Sequence, residues 1–132
     1  MKTSPSPSRP RALSRSALGR LGEELACRAL VEHGYEIIAR NWRCPAGEVD
    51  IIACEDGCLA FVEVKTRLPG GGLPEEGLTQ QKAQRIIAVA QHYLGQNATE
   101  EPPWRLDLVA IELGADGQPR RIAITPAIGM DA

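Results

Sequence analysis

Aromatic residues are scarce in this chain: one Phe, two Trp and two Tyr among 132 residues. With so few, Trp42 and Trp104 read as core packing in preference to platforms for stacked bases. Long apolar runs are missing as well; none approaches the roughly 18 residues that a membrane helix requires, so no membrane role is expected. The N-terminus has no apolar segment of the kind that opens a secretory signal. Paired CxxC spacing is also absent. Cys27, Cys44, Cys54 and Cys58 are irregularly placed, and a zinc site built from the last three with His33 is disfavoured against free, partly buried thiols. Together these absences predict a cytoplasmic domain without disulfides.

Acid is missing from one end. Residues 1–20 hold five basic groups and no Asp or Glu, while the remaining 112 hold 10 basic and 17 acidic groups, a net of −7. So acidic a body is not a generic DNA-coating surface, and a nucleic-acid role requires local basic patches or bound cations. The opening "MKTSPSPSRPRALS" is Arg- and Ser-rich like a transit peptide, but its prolines exclude an amphipathic targeting helix before about residue 11. Residues 1–14 read as a disordered basic tail, and 15–132 as a single domain large enough for its own core.

The spacing predicts a helix from Ser16 to His33, stopped by Gly34, with Leu18, Leu21, Leu25 and Ala29 as its core stripe. "YEIIARNWR" reads as a strand. "GEVDIIACE" and "CLAFVEVKTR" read as a hairpin about Asp56-Gly57. A flexible loop over 68–77 leads to a second helix over 80–94, capped by Thr79 and closed by Gly95. Its buried face is Ala83, Ile86, Ile87, Ala90, Tyr93 and Leu94. "WRLDLVAIEL" and "RRIAIT" are two further strands joined at Asp116-Gly117. The order is α-β-β-β-α-β-β, an α/β domain with a mixed sheet flanked by helices.

The hairpin carries the chemistry. Three charges, Asp50, Glu63 and Lys65, interrupt its apolar runs, where burial is costly. A two-residue turn at Asp56-Gly57 places Asp50 directly opposite Glu63, with Cβ atoms about 5 Å apart. Facing carboxylates repel, and a divalent cation between them reverses that interaction; oxygen donors suit Mg²⁺ or Mn²⁺. Lys65 shares the face of Glu63 and can reach the same point, to hold a phosphate oxygen or orient a water. The set fits phosphodiester hydrolysis. The competing reading is a solvent-facing salt-bridge cluster.

Glu23 sits on a strip of the first helix with Gly19, Ala26, Cys27 and Leu30, which can approach another element closely. It is the functional candidate there, whereas Glu24 belongs to an exposed row with Arg20 and Arg28. Glu48 shares the face of Asp50 and either supports the site or flanks it. Gln81 and Lys82 fall at the start of the second helix, where anions are favoured; Lys82 and Arg67 are candidate phosphate or substrate contacts, with solvation as the alternative.

Four segments in this order, "GRLGEELACRAL", "GYEIIARNWRCPAGEVDIIA", "FVEVKTR" and "LTQQKAQRIIAVAQHYL", resemble the YraN-like family of small bacterial proteins. That family is grouped with the restriction-endonuclease-like PD-(D/E)xK nucleases, near archaeal Holliday junction resolvases. The likeness runs from about Gly19 to Ile111, and Val49 replaces the proline of the superfamily motif. It implies a restriction-endonuclease-like sheet, Mg²⁺ (or Mn²⁺) held by Asp50 and Glu63 with help from Glu23, and Lys65 assisting catalysis. The implied activity is a Mg²⁺-dependent endonuclease acting on DNA, branched or damaged DNA in particular. Resolvases of this fold are often dimers, so a homodimer is a further expectation. The rival is a non-catalytic module that uses the same fold to bind nucleic acid or protein.

Overall fold

A computed structural model describes residues 14–97 and 102–128 of the chain. The basic tail expected over 1–14 lies outside this description apart from Ser14. In chain order the elements are α1 (Arg15–Glu32), β1 (Glu36–Cys44), β2 (Gly47–Glu55), β3 (Cys58–Arg67), α2 (Gln80–Asn97), β4 (Trp104–Leu113) and β5 (Pro119–Thr125), with a 3₁₀ turn at Pro74–Gly77 before α2. The sheet runs β1-β2-β3-β4-β5. Only β3 and β4 are parallel, joined through α2; the other three pairs are antiparallel. The expected element order and mixed sheet are therefore present.

Local chemistry sets the element ends. Ser14 caps α1 by accepting the Ala17 amide at 3.1 Å, and Gly34 leaves the helix at φ +99°, a conformation open to glycine. Asp56 (φ +51°) and Gly57 (φ +78°) give the doubly left-handed turn that suits the twist of a tight hairpin. Thr79 caps α2 through the Lys82 amide at 3.1 Å. Gly95 does not close α2, which continues to Asn97; a single glycine costs about 1 kcal/mol there, too little to end a helix with a packed face. The second half of the 68–77 loop is also more ordered than expected. It winds into the 3₁₀ turn, and Glu75 there is ion-paired with Arg121 of β5.

One helix covers each face of the sheet. Ala26, Cys27 and Leu30 of α1 pack with Ile51, Ala53, Ala60, Val62, Val109 and Ile111. Ala83, Ile86, Val89, Ala90 and Leu94 of α2 pack with Val49, Ile52, Phe61 and Leu106. The deepest stripe of α1 is thus the small-residue strip that includes Glu23, while Leu18, Leu21 and Leu25 flank it half-buried. Small residues let the helix axis approach the sheet, and the leucines spread over its shoulders. Trp42 meets Tyr93 edge-on at 5.3 Å, and Phe61 meets Trp104 at 5.9 Å. Both tryptophans are core groups, as their scarcity suggested.

Among the described residues one charged group is fully buried. Asp107 of β4 accepts from the Tyr35 hydroxyl at 2.8 Å, from Arg105 Nε at 2.9 Å and from the Ala127 amide at 3.0 Å. Arg105 also donates to Glu55 at 2.7 Å and to the Tyr35 oxygen at 3.0 Å. The network joins the start of β1, the end of β2, β4 and the segment after β5. Burial and the Asp107 carboxylate push the Tyr35 hydroxyl up to about 12, so it stays a donor. Tyr35→Phe removes one of these donors from a buried carboxylate and should cost about 1–3 kcal/mol. Asp107→Ala, which strands Arg105, should cost about 3–5 kcal/mol. Urea midpoints at unchanged slope measure both; an unmoved midpoint for either variant would contradict this account of the network.

Candidate functional site

β1 and β2 depart from regular pleating twice, at a register shift between Ile37 and Ala39 and again nearer the site. Ala39 pairs with Ile52, and Trp42 pairs with Val49; all four pack on the α2 side. Strict alternation forbids a three-residue step from returning to the same face. The extra residue on each strand is the facing couple Asn41 and Asp50. Asn41 takes φ +52° to accommodate it, a conformation asparagine tolerates better than most side chains. Asp50 is thereby released from the regular sheet faces.

Next to this slip, β2 and β3 part. Their pairing runs from Glu55↔Cys58 to Ile51↔Val62 and goes no further. The register is the one expected from the Asp56-Gly57 turn, so Asp50 and Glu63 are the next facing positions. The Asp50 carboxylate occupies the opening and accepts the Val64 amide at 2.8 Å, replacing a backbone acceptor with a charged one. Burial, and then the Glu63 carboxylate, push Asp50 up to about 7.

The parted strands admit groups from both faces. Val64 packs on the α1 side, and Thr66 meets α1 at Gly22. By alternation Glu63 and Lys65 lie on the α2 side, with Phe61. Lys65 Nζ stands 3.4 Å from Glu63 Oε1, and both side chains are largely enclosed, 12% and 15% exposed. From the other face α1 brings Glu23. Burial raises its carboxyl, opposed chiefly by Arg40, with Glu48 and Glu63 adding to the rise and the Asn41 amide lowering it. Gly22 sets that approach: a Cβ there would stand 2.0 Å from Thr66 Oγ1.

These elements enclose a cavity of about 550 Å³ whose walls include Glu23, Asn41, Glu48, Asp50, Lys65 and Arg67. Glu48 is exposed and bound to Arg43 at 2.7 Å, so it flanks the site already neutralised. Glu24 pairs with Arg28 at 3.7 Å and with Arg40 at 3.2 Å, an exposed row as expected, with Arg40 rather than Arg20 as its second cation. Lys82 reaches Lys65, and this contact is the main cause holding its ammonium below the usual lysine range. Gln81 is exposed in the first turn of α2. Asp50, Glu63, Lys65, Lys82, Arg67 and, from the opposite face, Glu23 therefore share one region, with Gln81 at its edge.

Among the described residues no three His, Cys, Asp or Glu side chains form a ready-made metal cage. The donor chemistry is nonetheless that of a hard cation. Asp50 and Glu63 offer carboxylate oxygens whose mutual repulsion a cation would relieve, and Mg²⁺ commonly takes one or two carboxylates with water and phosphate completing its shell. The four cysteines are free thiols, and only Cys27 is buried. Sequence reasoning missed Asn41, Arg40 and the Gly22–Thr66 contact. Only Asn41 left a trace, as a turn-tolerant polar residue in mid-strand.

Comparison with known proteins gives a family. Residues 22–111 match the model of an uncharacterised protein family, UPF0102. A "UPF0102 protein" of Roseiflexus castenholzii is 45% identical over 106 residues, covering 79% of this chain and 86% of its own. One from Rhodococcus opacus is 49% identical over 105 residues, covering 79% and 89%. One from Symbiobacterium thermophilum is 45% identical over 104 residues, covering 78% and 88%. The matched region takes in Glu23, the hairpin and α2.

Two outcomes follow from this geometry. An Asp carboxyl titrates near pH 4 in an unfolded chain and near 7 in this site. Between those values the folded state binds more protons, so its stability falls as pH rises through the window. The loss should be on the order of 2 kcal/mol after allowance for partial exposure. Asp50→Asn should remove that part of the pH dependence and be the more stable protein at pH 8; parallel wild-type and variant profiles from pH 4 to 8 would contradict it. Gly22→Ala should lower the melting temperature by several degrees, about 1–3 kcal/mol of overpacking. Thr66→Ala should recover part of that loss in a double-mutant cycle.

Proposed function

This chain belongs to the uncharacterised protein family UPF0102, and we propose that it is a Mg²⁺-dependent endonuclease that hydrolyses DNA phosphodiester bonds, with branched or damaged DNA as the expected substrate. One observation carries the reading. At the end of the β2–β3 ladder two carboxylates repel one another, and within reach two lysines do the same. A cation beside an anion relieves both, and a divalent ion on a phosphodiester is that combination. The resemblance of "GEVD" and "FVEVKTR" to the PD-(D/E)xK nucleases supports it.

In this reading Asp50 and Glu63 hold the ion, or Mn²⁺ in its place, with Glu23 assisting from α1. When bound, the ion would neutralise charge on the phosphoryl oxygens and make water a better nucleophile. The Val64 amide fixes the Asp50 carboxylate, so it need not reorganise during reaction. Lys65 orients the attacking water or stabilises the charge gathering on phosphorus, while Glu63 keeps its ammonium at the cavity wall. Lys82 and Arg67 take non-bridging phosphate oxygens, and Gln81 is placed to assist at the edge. A homodimer and a cytoplasmic setting belong to the same proposal.

That no three His, Cys, Asp or Glu side chains cluster among the described residues, and the net −7 of the body, favour a second reading, a non-catalytic module that binds nucleic acid or a protein partner. Cleavage decides between them. Purified protein with Mg²⁺ or Mn²⁺ should cut at least one of duplex, single-stranded, flap or four-way-junction DNA, and Lys65→Ala should be slower by about 100-fold or more. Activity undiminished in Lys65→Ala would point to a contaminant or another site. Millimolar Mn²⁺ should raise the melting temperature of wild type and not of Asp50→Asn; no shift in wild type would favour the binding module.

A further inference from the structure

The cations of the described residues divide by position. Arg28, Arg40, Arg43, Lys65, Arg105 and Arg121 each stand within 4 Å of a carboxylate. Among the described residues Arg20, Arg67, Lys82, Arg85 and Arg120 have no such partner. Four of these five belong to the site or its border. Arg20 and Arg67 are on the cavity wall, Lys82 meets Lys65, and the Arg85 stem lies over Gly47 at the start of β2. The fifth, Arg120 of β5, lies in an adjoining cleft.

That cleft has a volume of about 370 Å³ and lies between the loop after β3 and the β4–β5 turn. Arg67 is a wall of both spaces, so the cleft continues the cavity. Leu68, Gly70, Leu113, Ala115 and Arg120 are among its other walls. Its carboxylate, Glu112, is held by Arg121 at 2.9 Å. Glycines receive both free arginines. A Cβ on Gly114 would stand 2.4 Å from Arg120 Nε and 2.8 Å from Asp116 Oδ1, an oxygen that accepts the Gln118 amide at 3.0 Å, and one on Gly71 would stand 3.3 Å from Arg67 Cδ. Arg67 also donates to the Thr66 carbonyl at 3.3 Å. Two guanidinium groups are thus laid against bare backbone beside a short apolar wall; Asp116 stands near Arg120 across Gly114, and among the described residues neither arginine has a carboxylate within 4 Å. A fork of donors in that state matches phosphate oxygens.

We propose that this cleft binds the phosphodiester backbone flanking the bond to be cut, with Arg67 and Arg120 as its cationic contacts. The location of the cut rests on the nuclease reading above; the binding does not. The chain then engages a strand over more than one phosphate, and short substrates forgo the Arg120 contact.

The test separates binding from cleavage. Asp50→Asn protein is titrated with fluorescein-labelled duplex of about 20 base pairs over a salt series, alone and combined with Arg120→Ala, Arg120→Lys or Arg28→Ala. Arg120→Ala should weaken binding three- to tenfold and reduce the salt slope by about one. Arg120→Lys should retain the slope, and Arg28→Ala, which loses only a surface pair, should match the parent. In cleavage, Arg120→Ala should raise KM on the long duplex at unchanged kcat and leave a substrate trimmed to two or three nucleotides around the cut unaffected. Unchanged affinity and slope for Arg120→Ala would overturn the proposal, as would equal loss on long and trimmed substrates or no DNA binding by any variant. Binding that depends on Arg120 without metal-dependent cleavage would uphold the cleft and sink the nuclease reading.

Discussion

A single hydrogen bond, from the Val64 amide to the Asp50 carboxylate, occupies the point where the central sheet stops being regular. Had β2 and β3 continued their ladder, Val64 would have met a backbone acceptor and Asp50 would have been one more residue on a sheet face. The strands part, and a charged side chain fills the gap. Charge-assisted hydrogen bonds are roughly twice as strong as neutral ones, which is why an acid can be tolerated here at all. The same bond fixes where the carboxylate sits relative to Glu63, and with it the repulsion that adds to burial in raising its pKa.

The strain of that arrangement is confined by what surrounds it. On one side the pleat slip at Asn41 and Asp50 absorbs the extra residue on both strands, so the pairing resumes in register at Trp42↔Val49. On the other, Ile51 and Val62 are fully buried and paired. At the far end of the hairpin, the Tyr35 hydroxyl, Arg105 and the Ala127 amide surround Asp107 with donors that leave none of its oxygens unmet. Asp107, fully buried, and Asp50, half-buried, differ in this respect. Asp107 has a cation and two further donors, and it acts as a structural tie. Asp50 has one amide and faces another acid, a poor way to stabilise a fold and a reasonable way to hold a site for a cation.

Much of this was legible because it depends on short-range rules. The Asp56-Gly57 turn admits one register, and that register sets Asp50 against Glu63 however the rest of the chain folds. Thr79, Gly34 and the periodicity of α2 fixed the helices with similar economy. The α1 stripe was misplaced because a hydrophobicity count favours leucines over alanine and cysteine, although close docking needs the smaller residues. Gly95 misled because a glycine's cost in a helix is easily exceeded by burial of Leu94 beside it. The Asn41 slip, the Arg40–Glu23 interaction and the meeting of Lys65 with Lys82 depend on how three elements are set against one another in space. No spacing within one segment encodes that.

Net charge is a poor guide to what such a surface attracts. The body of the chain carries −7, but its carboxylates are unevenly spent. Glu24 and Glu48 face Arg40 and Arg43, Glu55 and Asp107 share Arg105, and Glu75 and Glu112 share Arg121. What remains near the cavity is a pair of acids crowded together at the strand gap and a rim of cations without a carboxylate within 4 Å among the described residues. Fields within about a Debye length, roughly 10 Å, matter more to a docked ligand than the summed charge of a distant face. The exposed acid of the cavity wall, Glu48, is already paired with Arg43, so under the proposed reading a polyanion approaching this face meets chiefly those unpaired cations. A cation held at the strand gap completes the pattern, since it converts that gap from repulsive to attractive for phosphate. Under the proposed reading the acidic body opposes docking elsewhere, and the cation-rimmed face is the one that would take a nucleic acid.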